Sequence, residues 1–203
     1  MEIISIKAFF GVLSSVAVLL GYVPYLKDIS RGKVHPHILS WTGWGFTTAI
    51  AAVAMISVGF TWGVAIVAAN SVLCFTVAIY SILKKTGVWQ TTIYDYMFFA
   101  LGVVGIILWQ TFNNPDLAIS FSIFADLSFG IPTLIKICKN PKSETVLPWV
   151  FFAISGIASL FAVSYISYTE VAYPIYMAIY DSSALLLLIL VPKFLSSNRQ
   201  NRF

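Results

Sequence analysis

The sequence predicts an all-α integral membrane protein of seven transmembrane helices, built as two parallel three-helix bundles joined by a linker helix. Three observations predict it. First, 59% of the 203 residues are hydrophobic and only 10% are charged, whereas a soluble domain carries about 25% charged residues. So few charges cannot cover a water-exposed surface of this size, and an apolar exterior is no liability in lipid. Second, seven apolar runs approach the length of about 20 residues that a helix needs to cross a bilayer. Third, the basic residues fall in alternate connections between those runs, as the positive-inside rule requires.

The first run covers roughly residues 5–25. Lys7 precedes it like the basic start of a signal peptide, but no small-x-small cleavage site follows, and the run continues into Tyr22-Val23-Pro24-Tyr25, so it is a span. The second and third runs, roughly 37–59 and 61–83, are separated by Gly59-Phe60-Thr61. A single helix over both is far too long for one crossing, and Gly59 and Gly63 offer a turn. The remaining runs lie at roughly 94–112, 117–138, 147–168 and 171–192, the fourth being the shortest. The predicted organisation is therefore a first bundle at 1–85, a linker helix at 86–115, a second bundle at 116–195 and a tail at 196–203.

Charge supports the same count. Lys27, Arg31 and Lys33 follow the first run, Lys84 and Lys85 the third, Lys136, Lys139 and Lys142 the fifth, and Lys193, Arg199 and Arg202 the seventh. Of the 12 Lys and Arg residues, Lys7 alone falls on the other side, where Glu2, Asp116 and Glu170 make the connections neutral or acidic. The rule then puts the N-terminus outside and the C-terminus in the cytoplasm, in a plasma (bacterial inner) membrane. The net charge of +4 is thus a matter of membrane orientation, and nucleic acid is not an expected partner.

The chain also repeats itself. Pro24 and Pro132 are 108 residues apart, and the same interval relates Leu26 to Leu134, Ile29 to Ile137, Arg31 to Lys139, Leu39 to Leu147 and Trp41 to Trp149. Fixed-period self-similarity marks an internal repeat, here joining spans 1–3 to spans 5–7. One leftover span makes the two halves enter the membrane in the same direction, as parallel repeats do in some transporters.

At these residues the chain resembles the PQ-loop and SWEET superfamily. The resemblance covers nearly the whole chain as a 3 + 1 + 3 plan, with a proline near the cytoplasmic end of spans 1 and 5 and a basic loop after each, Pro24 to Lys33 and Pro132 to Lys142. Span 3 adds Ala69-Asn70-Ser71-Val72-Leu73-Cys74-Phe75, similar to a stretch of the family's third helix in which the asparagine lines a sugar site. The family's glutamine after the proline is Tyr25 and Thr133 here, and its sugar-stacking tryptophan has no counterpart in Ala51-Ala52-Val53-Ala54. The resemblance implies alternating-access transport of a small polar solute, sugar-like or amino-acid or cationic.

Several residues offer the chemistry. A proline within a helix frees a carbonyl and permits a kink, so Pro24 and Pro132 are hinge candidates. Asn70 lies near the middle of span 3 and Asp181 near the middle of span 7. An offset of 111, allowing three extra loop residues in the second half, pairs Asn70 with Asp181 and Ser71 with Ser182; the strict offset of 108 pairs Asn70 with Ala178. Asp126, with Ser122 one turn earlier, and Asp181, beside Tyr180, are the acidic residues deep in the spans. A charge at mid-bilayer costs about 2.5–3.5 kcal/mol even on insertion scales. The expected solute-binding set is Asn70, Asp181, Asp126, Ser71 and Tyr180, set against a structural reading in which the carboxyls bond neighbouring helices. Trp41, Trp44 and Trp149 suit an aromatic belt at helix ends, with a gate as the other role.

No metal or other cofactor is expected. His35-Pro36-His37 has no third ligand, Cys74 and Cys138 lack ligand spacing and read as packing residues, and no catalytic constellation appears, so the chain is not read as an enzyme. The expected partners are a small-molecule solute and the lipid bilayer, with association between copies left open. The alternative function is a non-transporting receptor or assembly factor on the same fold.

Overall fold

In the computed structural model the described residues are 2–58, 62–88, 92–111, 115–163 and 166–200, so the turn expected at Gly59-Phe60-Thr61 lies outside them. They form seven α-helices: α1 (Glu2–Ser30), α2 (Ile38–Val58), α3 (Trp62–Leu83), α4 (Ile93–Thr111), α5 (Pro115–Lys139), α6 (Val146–Ala162) and α7 (Tyr168–Gln200). A short 3-10 turn, Pro141–Ser143, links α5 to α6. The element order and the all-helical class agree with the sequence. The sixth helix ends at Ala162, short of the expected 168, and α7 runs on to Gln200.

Three helical stretches are long and apolar enough to cross a membrane: Ile6–Ser30 in α1, Ile119–Lys139 in α5 and Val171–Phe194 in α7. The apolar stretches Ala68–Leu83, Ile93–Leu108 and Val146–Ala162 are shorter. The 17 residues of α6 rise only about 26 Å, less than a hydrocarbon core of about 30 Å.

Along the first part of α1, burial follows side-chain size. On α1 the large apolar side chains Phe9, Val12, Val16, Leu19, Leu20 and Val23 are exposed, whereas Ala17 and Gly21 are buried. Between helices in lipid there is no hydrophobic driving force, so small residues and hydroxyls make the contacts and large aliphatic residues face outward.

By contact the chain forms two compact units, Met1–Val34 with Leu134–Phe203, and His35–Thr133. In the first, α6 packs on both α1 and α7; in the second, α2 packs on α3 and α4. These units cut across the two three-helix halves expected from the sequence, because α1 groups with α6 and α7. The chain passes between units twice, in the α1–α2 loop and inside α5 after Thr133.

Helix ends are closed by the same device twice. After α1 the Lys33 N–H donates to the Asp28 carbonyl at 2.9 Å and the Gly32 N–H to Ile29 at 3.0 Å, with Gly32 left-handed at φ 66°. After α3 the Thr86 N–H donates to Ser81 and the Lys85 N–H to Ile82, both at 3.0 Å, with Lys85 left-handed at φ 56°. Both are Schellman caps, in which the left-handed position favours glycine. A side chain there costs about 1–2 kcal/mol. Lys85→Gly is therefore expected to raise the thermal unfolding midpoint in detergent by about 2–4 °C; an unchanged or lower midpoint would show that the lysine is not strained.

Candidate functional site

In the unit His35–Thr133, the ring of Phe129 is the centre of packing. A Cβ added at Gly43 of α2 would lie 2.3 Å from it, and one at Gly102 of α4 would lie 2.4 Å away. Two glycines on facing helices thus form a notch that the α5 ring fills, with Phe99 against it at 5.4 Å between centroids. Asp126 lies three residues before Phe129, on the same side of α5, and is buried. Its backbone carbonyl accepts the Trp44 indole N–H at 3.1 Å, and Trp44 stands edge-on to Trp41. Ser71 of α3 is buried and its hydroxyl donates to the Gly45 carbonyl of α2 at 2.9 Å, while Asn70 beside it is half-buried.

The same unit closes at its loops. Val88 pairs with the segment before α2, its N–H donating to the Pro36 carbonyl at 2.8 Å. His37 is buried there, with Nδ1 3.1 Å from the Ser40 hydroxyl and Nε2 3.8 Å from an Asp95 carboxylate oxygen. The other Asp95 oxygen accepts the Thr92 N–H at 2.6 Å and caps α4.

In the other unit the ring of Phe152 takes the corresponding place. A Cβ at Gly21 of α1 would lie 2.5 Å from it, and Tyr22 and Trp149 meet it edge-on. Ser14 and Ser155 join α1 to α6 reciprocally: each hydroxyl donates to the other residue's carbonyl, at 3.0 and 2.8 Å. Gly156 lets α6 approach the backbone of α7 at Ala178 to 3.0 Å from where its Cβ would stand. Asp181 and Tyr180 are buried on α7, and a line of rings runs Trp149, Tyr180, Tyr176, Tyr173.

The 108-residue interval relates the two packing centres only approximately. Gly21 corresponds to Phe129, but Phe152, the ring against Gly21, corresponds to Trp44, while Gly43 corresponds to Phe151. Glycine and aromatic are thus exchanged between α1 and α5, and the α6 and α2 positions differ by one residue. Ser14 and Ser155 likewise correspond to Ser122 and Thr47, hydroxyl for hydroxyl.

A residue that sequence reasoning missed lies at the loop end of the first unit. The Glu144 side chain is 0% exposed and receives three donors. The Tyr25 hydroxyl donates at 3.0 Å, the Lys136 ammonium at 2.5 Å and the Trp149 indole N–H at 3.3 Å. Beside it the Thr145 hydroxyl donates to Asp28 at 2.8 Å. The one available signal was Tyr25, a polar residue following the proline.

Of the expected site residues, Asn70, Ser71, Asp126, Trp41, Trp44 and Pro132 lie in one unit, and Asp181, Tyr180, Trp149 and Pro24 in the other. Asn70, Asp126 and Asp181 each engage a partner. The aromatic-belt expectation is corrected for Trp41 and Trp149, which are 3% and 2% exposed. A belt indole needs its ring at the lipid headgroups, whereas these rings are enclosed by protein. No family model, curated protein or solved structure matches the chain.

Glu144 and Lys136 form a nearly water-free pair, and removing one partner of such a pair costs about 3–5 kcal/mol. Lys136→Ala should lower the unfolding free energy by that amount. The exposed Lys139→Ala should change it by about 0.5 kcal/mol or less. Equal effects in denaturant titrations would remove the special status of the pair.

Proposed function

We propose that the protein is a membrane transporter that moves a small polar solute by alternating access, built on the PQ-loop and SWEET plan. In this reading all seven helices cross a plasma (bacterial inner) membrane, with the N-terminus outside. Asn70, Ser71 and Asp126 in one unit, and Tyr180 and Asp181 in the other, offer the polar groups that bind solute. Trp41, Trp44 and Trp149 serve as gate residues, and Pro24 in α1 and Pro132 in α5 are the candidate hinge positions.

One observation carries the reading. Asp126 and Asp181 are each 6% exposed and lie inside two of the stretches long and apolar enough to cross a membrane, Ile119–Lys139 and Val171–Phe194. Holding a carboxyl at membrane depth is costly, and such residues mark solute, ion or proton pathways. The repeat-related contacts add support, because transporter folds are commonly assembled from related halves.

The test is flux into proteoliposomes from a panel of sugars, amino acids and organic cations. Asp126→Asn and Asp181→Asn should each lower uptake about 10- to 100-fold, the equivalent of one charged hydrogen bond of about 1.5–3 kcal/mol. Both should insert and melt normally. Unchanged uptake and pH dependence in both variants would remove the carboxyls from the pathway. Absence of flux for every solute would leave the receptor reading in place of transport.

A further inference from the structure

The sequence presents Pro24 and Pro132 as matched hinges, yet their surroundings differ. Pro24 lies wholly inside one compact unit, whereas the division between units falls in α5 between Thr133 and Leu134, one residue beyond Pro132. The residue after each proline differs in the same sense. Tyr25 is fully buried and bonded to Glu144 at 3.0 Å. Thr133 is also fully buried, but its hydroxyl has no partner among the described residues. At the 108-residue interval, the place of Glu144 is taken by Pro36, which has no side-chain acceptor.

Glu144 reaches further than α1. Lys136 belongs to the short end of α5 beyond Pro132, and Trp149 to the first turn of α6. The carboxylate thus ties the ends of α1 and α5 and the start of α6 into one body. A proline removes one helical hydrogen bond and its ring strains another. Whether that weakness becomes motion depends on what holds the two sides of it.

We propose that the hinges are unequal: α5 bends at Pro132, while Glu144 is a positioning residue that locks α1 beyond Pro24 and carries the end of α5 with it. The mechanical consequence rests on the transport reading; the geometry does not.

Hydrogen–deuterium exchange on the full chain in lipid nanodiscs tests it without any solute. In the unsubstituted protein, amides at 128–135 should exchange about tenfold faster than those at 20–27. Glu144→Leu should raise exchange about tenfold at 22–30 and 134–139, and leave 150–162 unchanged. Tyr25→Phe, a milder change, should raise it at 22–30 alone. Equal exchange around the two prolines would overturn the inference. So would a rise spread evenly over the whole unit in Glu144→Leu, the pattern of a merely structural acid. If this exchange pattern appears and no solute moves, transport fails and the unequal hinges stand; flux with equal exchange means the reverse.

Discussion

Both units are held by one kind of contact, an aromatic ring set into a space that only glycine leaves open. Phe129 fills the notch of Gly43 and Gly102, and Phe152 covers Gly21. In lipid, helix association relies on van der Waals packing and interhelical hydrogen bonds. Each carbon pair at contact contributes only about 0.1–0.2 kcal/mol, so a ring pressed flat against bare backbone is an effective way to accumulate many of them. The polar groups depend on these rings for their placement. Asp126 stands three residues before Phe129 and Trp149 three before Phe152, a spacing that keeps each pair on one side of its helix.

The two units reach the same close helix approach with the parts reversed: α5 brings the ring to a glycine of α2, and α1 brings the glycine to a ring of α6. In both, one small residue faces one ring. The Ser14–Ser155 pair ties α1 to α6, whereas the buried Thr47 hydroxyl donates to the Gly43 carbonyl of its own helix. The acidic clasp does not persist. Glu144 has Pro36 at its related position, and that unit closes its loops instead through the Val88 pairing and His37 with Asp95.

The helices themselves were legible because apolar length and charge alternation are properties of single segments. Ends were less so. Nothing in composition separates Ala162 from the residues after it, and α7 continues past its apolar stretch because lysine and serine are compatible with helix. Buried carboxyls within apolar runs, Asp126 and Asp181, could be read directly, since charge in such a run is conspicuous. Glu144 could not. It sits in a basic loop where an acidic residue is unremarked, and its burial depends on a 3-10 turn and on three partners that are 119, 8 and 5 positions away. Closeness to a helix end likewise does not reveal whether a ring turns outward or toward protein, so the belt and gate roles of Trp41, Trp44 and Trp149 could not be separated by position alone.

Between Phe9 and Gly21 of α1 the large aliphatic side chains face outward while Ala17 and Gly21 are buried, which inverts the usual map of mutational tolerance along that stretch. In a water-soluble protein, trimming a core leucine is punished and altering a surface residue is forgiven. Val12, Val16 and Leu19 are exposed in a stretch long and apolar enough to cross a membrane, so exchanges among aliphatic types there disturb little packing. The positions that admit no enlargement are Gly21, Gly43 and Gly102, where an added Cβ would run into a ring. A saturation scan would accordingly rank these helix contacts by side-chain volume, and hydrophobicity would be a poor guide to which of them matter.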